Sequence, residues 1–239
     1  MRQLVPALVL ALLAGCIIDS DDDSSGANLL VTWSLETLAT QSPAPCPVGY
    51  DTAAVYSQEV DSDGSAIGLP IIDLFNCSDG TGTTSKLSGI TYSESVAIAT
   101  DDNSLQYGTS IPVTVDILSA QNQEVDTPPI YTDAGHFELS WQLVEAGSNV
   151  SCADVPNAFS VQVTATDPSG TTQSPPFPCG DSVDYTSGFL DGSYSVTAAL
   201  LDATGNQLGV SDPVAATIMT TALQGNTVTD LHTVTIVVQ

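Results

Sequence analysis

Leu30-Val31-Thr32-Trp33-Ser34-Leu35 recurs, with changes, as Phe137-Glu138-Leu139-Ser140-Trp141-Gln142-Leu143. The echo continues in order along the chain. Cys46 is matched by Cys152, Phe75-Asn76-Cys77-Ser78-Asp79-Gly80 by Phe177-Pro178-Cys179-Gly180-Asp181, and Ser88-Gly89 by Ser187-Gly188. The offset shrinks from 108 positions at the tryptophans to 101 at Pro112 and Pro213. Gradual shrinkage is what a duplication followed by small loop deletions leaves behind.

Within each copy the apolar pattern has a period of two. Val96-Ala97-Ile98-Ala99 and Tyr194-Ser195-Val196-Thr197-Ala198 follow the Ser-Gly pairs, Val161-Gln162-Val163-Thr164-Ala165 alternates, and Thr233–Val238 is rich in β-branched residues. Turn residues such as Asp167-Pro168-Ser169-Gly170 separate these runs, and no long segment reads as a capped amphipathic helix. Units of about 100 residues with many short strands are the signature of β-sandwiches, so an all-β fold of two tandem sandwiches is expected. Leu190-Asp191-Gly192-Ser193-Tyr194-Ser195-Val196 resembles the Gly-x-Tyr-x-Val strand entry of bacterial Ig-like, fibronectin type III-like and transthyretin-like modules. That resemblance implies an Ig-like sandwich and no particular activity.

Charge narrows the function. The 239 residues include 28 acids and 2 bases, for a formal net charge of −26. Nucleic-acid binding needs clustered Lys and Arg to displace counterions, and attraction to anionic lipid heads needs the same. Neither class fits. The acidity keeps the chain soluble and self-repelling, or suits a saline habitat.

At the amino terminus Arg2 precedes an apolar run from Leu4 to Leu13, too short to span a bilayer and of the length of a secretory signal core. It ends in Leu13-Ala14-Gly15-Cys16, which resembles the lipobox of bacterial lipoproteins. The resemblance implies cleavage before Cys16 and acylation there, with two or three chains giving a stable membrane anchor. Ile17, rather than Asp, follows the cysteine. By the sorting rule of enteric bacteria this favours the outer membrane. The expected layout is a signal peptide over 1–15, lipidated Cys16 and an acidic tether over 16–28, a first sandwich over 29–118, a linker over 119–134 and a second sandwich over 135–239. The 136–143 run could close copy one or open copy two; the match of Trp141 to Trp33 places it in copy two.

Five cysteines leave one without a partner, and Cys16 fills that part. Of the three pairings open to the others, Cys46–Cys77 and Cys152–Cys179 keep the bonds within repeats and make the copies equivalent, in a compartment that is oxidising for an exported chain.

Candidates for chemistry are few. Nucleophilic catalysis needs a Ser, Thr or Cys beside a base, and His136 and His232 are the only imidazoles. Both precede strand-like runs without a nucleophile motif and are expected at the surface. Asp61-Ser62-Asp63-Gly64-Ser65 offers alternating carboxylates to Ca²⁺, with Asp61 and Asp63 as ligands; the same residues also make an ordinary turn. Trp33 and Trp141 could stack on sugars, but their equivalence at the centre of apolar strands favours a core role. No cofactor is expected. The function expected is a non-enzymatic envelope lipoprotein, a structural or adhesive module recognising a protein or glycan partner, with glycan or peptide capture as the alternative.

Overall fold

The protein is described by a computed structural model covering residues 26–88, 90–117, 122–181 and 183–239. The expected signal peptide, Cys16 and most of the tether, up to residue 25, lie outside the described residues, as does Gly89 of the first Ser-Gly pair. The fold is all-β, with sheets in a sandwich arrangement.

In the first copy, one layer runs Ile71–Asn76, Thr52–Glu59, Thr91–Ala99, Gln106–Thr109, with Val113–Asp116 pairing the first half of Thr91–Ala99. The opposing layer is built on Leu29–Thr32 and Leu35–Thr37. Leu29–Thr32 lies between Thr81–Thr83, antiparallel, and Gln123–Asp126, parallel. Leu35–Thr37 lies between Ser42–Pro43 and Ile130–Tyr131 in the same way. Alternation puts Val31, Trp33, Val55, Val96, Ile98 and Ile130 into one core between the layers.

The second copy repeats the plan with longer strands. Ser160–Asp167 pairs Gly192–Leu201, which pairs both Gln207–Ser211 and Val214–Ile218. Ala134–Glu145 runs parallel to Thr227–Val238 across a bulge between Glu138 and Ser140. Thr227–Val238 also pairs Gln207–Ser211, so the second copy's strands form one continuous sheet. The 136–143 run is thus paired along Thr227–Val238, and its Phe137, Leu139 and Leu143 are buried in one core with Val161, Val163 and Val196.

The 119–134 linker does not survive as such. Gln123–Asp126 and Ile130–Tyr131 are strands of the first copy, and Ala134 already opens the second. Pro128-Pro129 falls opposite the break at Trp33-Ser34, where Thr127 N–H donates to Thr32 O and Ile130 N–H to Ser34 O. The prolines thus cost the ladder little, since they occupy positions where the partner strand is itself interrupted. Val125 and Ile130 are buried, and their burial fixes the register. The two sandwiches consequently abut.

Candidate functional site

Equivalent side chains build the same brace in each copy. Cys46–Cys77 and Cys152–Cys179 are bonded, with Cα atoms 6.1 and 5.9 Å apart. Beside each bond the tryptophan donates its indole N–H to the carbonyl of the second cysteine, Trp33 to Cys77 at 3.0 Å and Trp141 to Cys179 at 3.1 Å. A phenylalanine two residues before that cysteine lies against the indole, Phe75 on Trp33 and Phe177 on Trp141, both with centroids 6.0 Å apart. The tryptophan thus fills the core, satisfies a carbonyl at the bond and packs on the strand that carries it. Trp33 is buried, as the core reading expects, whereas Trp141 is partly exposed.

Each brace borders an open cleft of about 540 Å³. Pro43, Ala44 and Pro45 line the first; Gln142, Asn149 and Asp181 line the second. Because a cleft occurs in both copies, its presence follows from the shared brace. The copies differ more at the strand after the first hairpin. Ile72 and Leu74 stand exposed on Ile71–Asn76, where the second copy has the polar strand Gly170–Gln173.

Asp61 and Asp63 sit in the hairpin after Thr52–Glu59. Asp61 Oδ1 accepts the N–H groups of Asp63 and Ser65, and Gly64 takes a left-handed φ of 80°. This is an aspartate closing its own turn. Asp102, Asp167 and Asp202 do likewise, accepting N–H groups from Ser104, Ser169 and Thr204. Side-chain hydrogen bonds, from the Ser104 hydroxyl to Asp102, the Ser169 hydroxyl to Asp167 and the Asn206 amide to Asp202, are the main cause holding all three carboxyls below the usual range, and the backbone bonds add to them. Among the described residues no three His, Cys, Asp or Glu side chains gather in a metal-holding group.

The histidines part company. His232 is exposed in a left-handed bulge, φ 58°, where its Nδ1 lies 2.8 Å from Asp230. His136 is 2% exposed, against the surface position expected of it. The strand starts at Ala134, two residues earlier than the apolar pattern indicates, and the first copy and the 219–226 connection cover the ring. Nδ1 faces the Thr186 carbonyl at 2.8 Å and Nε2 faces Asn226 Oδ1 at 3.1 Å. Neither partner is a nucleophile.

Glu94 was missed by sequence reasoning. It is fully buried, accepts from Ser57 Oγ at 2.9 Å through Oε2, and its Oε1 has no hydrogen-bond partner among the described residues. Burial pushes its carboxyl up to about 7, partly countered by Ser57, with Asp73 adding to the rise. The signal was phase: position 94 is in step with Tyr92, Val96 and Ile98, the inward residues of Thr91–Ala99.

No family model matches the chain, and no curated protein matches it in sequence. Solved structures show weak likenesses. A leucine-rich repeat protein from Bacteroides thetaiotaomicron matches at TM-score 0.40 and 12% identity, over 90% of this chain and 26% of that one. The minor pilin GBS52 of Streptococcus agalactiae matches at 0.29 and 13%, over 89% and 96%. The fimbrial anchor protein Mfa2 of Porphyromonas gingivalis matches at 0.28 and 12%, over 78% and 82%. The chain thus spans about a quarter of the first of these, and scores this low bear on neither ligand nor partner.

Proposed function

We propose that the chain is a lipid-anchored cell-envelope module with a structural or adhesive role and no enzymatic one. The observation that carries this is cysteine use. Four of the five cysteines close the two braces, and the fifth is Cys16, at the end of the lipobox-like Leu13-Ala14-Gly15-Cys16. Paired disulfides suit an oxidising compartment, and a diacylated cysteine would use the remaining thiol. The braced tandem supports a display role, and the exposed Ile72 and Leu74 offer apolar contact on one copy alone. Outer-membrane placement rests on Ile17 following the cysteine.

The test is metabolic labelling with an alkyne fatty acid in a bacterial host. Label should enter the full chain and be lost in Cys16→Ala, with the unprocessed precursor accumulating. A chain that is cleaved and exported without label, or labelled equally in Cys16→Ala, would overturn the anchor.

A further inference from the structure

The second copy sends one connection out against the first. In the 219–226 segment, Gly225 N–H donates to Tyr107 O at 2.8 Å, and Leu223 O accepts from the Tyr50 hydroxyl at 3.3 Å. Asn226 ties three points together: Nδ2 donates to Thr109 O, while Oδ1 accepts Tyr131 N–H at 3.0 Å and faces His136. The backbone approach is close. A Cβ on Gly225 would stand 2.7 Å from Tyr131 O, and one on Gly108 2.8 Å from Gly225 O. Asn226 is buried in a left-handed conformation, φ 43°, which asparagine tolerates better than most residues.

The same asparagine creates a mismatch at His136. Its amide cannot be turned round, because Oδ1 takes a backbone N–H and Nδ2 gives to a carbonyl. Both ring nitrogens therefore face oxygens, those of Thr186 and Asn226. A neutral imidazole has one N–H for these two acceptors, whereas an imidazolium would satisfy both but bury a charge. Burial prevails and holds His136 below the usual histidine range, against the opposing pull of Thr186, Asn226 and Ser187. The titratable groups on the elements around it are Tyr131, whose ring lies 5.6 Å away and feels Glu36 and Asp133; Asp184 and Tyr185, which lead to Thr186; Glu138 on its own strand; and Asp230 on Thr227–Val238. None of them is a hydrogen-bond partner of the ring.

We propose that the 219–226 connection is a clasp fixing the two sandwiches to each other, and that His136 is the pin that lets acid release it. Release brings the ring into water, where it takes a proton readily. The clasped form then binds fewer protons than the released one, so falling pH favours release.

Amide hydrogen exchange on the full chain, corrected for intrinsic rates, tests this at about pH 7.5 and about pH 5, on either side of the ordinary histidine value. Protection at Gly225 and Tyr131 should fall several-fold at the lower pH, while Val163 in the second core keeps its protection. In His136→Gln the fall should vanish. Protection that is equal or higher in acid, or a fall that persists in His136→Gln, would overturn the proposal. Should that variant fail to fold, the native ring resonances decide, with His232→Gln supplying the assignment. His136 should take up its proton below the ordinary histidine range, together with the loss of Gly225 protection. Uptake at or above that range would overturn the proposal equally.

Discussion

Ser57 and Glu94 face each other in the first copy at the register position that Ala165 and Val196 occupy in the second. The surroundings are otherwise alike: Val96 N–H donates to Ser110 Oγ and Ala198 N–H to Ser211 Oγ, both at 3.0 Å. One frame thus holds a buried carboxyl in one copy and a methyl-lined contact in the other. Fold identity is set by the brace and the alternation; the response to protons is set by which side chain fills an inward position. The two copies are the same scaffold with different solution chemistry.

The comparison can be broken first at the disulfides. Replacing Cys46 and Cys77 by Ala, or Cys152 and Cys179, should cost the affected copy roughly 3–4 kcal/mol, because the closed loops are of similar size, 31 and 27 residues. Domain-resolved unfolding in denaturant, followed by exchange at core amides, reads this directly. Equal losses keep the copies equivalent. A loss shared by the intact copy would mean that the contact between them carries folding energy.

Glu94 sharpens it next. Its folded carboxyl titrates at about 7 against 4.5 for an ordinary glutamate, so between those values the folded copy holds a proton that the unfolded chain releases. The first copy should therefore lose on the order of 3 kcal/mol as pH rises from about 4.5 to about 8, because each tenfold difference in proton affinity between the folded and unfolded chain is worth about 1.4 kcal/mol. The second copy, with Val196 there, lacks this contribution. Ser57→Ala combined with Glu94→Val should remove this pH dependence from the first copy, as measured by its unfolding midpoint across the range.

The smallest effect separates the tryptophans. Trp→Phe leaves the Cys77 or Cys179 carbonyl without its indole donor, at a cost of about 1–3 kcal/mol where the carbonyl stays dry. Trp33 is buried and Trp141 partly open, so Trp33→Phe should lie toward the upper end and Trp141→Phe toward the lower. Equal losses would show that water does not reach the second carbonyl.

Most of the scaffold was legible because its markers are rare residues in fixed order. Two tryptophans, four cysteines and two Ser-Gly pairs reveal the duplication, and the duplication selects the pairing that the structure holds. The closing strands of copy one were not legible. Gln123-Glu124-Val125-Asp126 carries a single apolar residue, and what makes it a strand is its parallel partner Val31, ninety-four positions earlier. Local pattern cannot see such a partner. The burial of His136 escaped for the same reason, since the other copy and a distant connection supply the cover. Glu94 was legible in phase and obscured by type, because charged residues are read as outward. Asp61 shows the reverse hazard: alternating carboxylates that suggest a cation also describe an aspartate capping its own hairpin.

The claim on which the abutting tandem depends is that residues 122–131 complete the first sandwich. Amide exchange of the full chain over that stretch tests it most directly. The structure requires Val125, Thr127 and Ile130 to be protected, with the Thr127 and Ile130 amides as slow as their donation to Thr32 and Ser34 demands. Exchange there at the rate of an unstructured chain, while the Val96 core stays protected, would restore a linker between the copies and contradict the account.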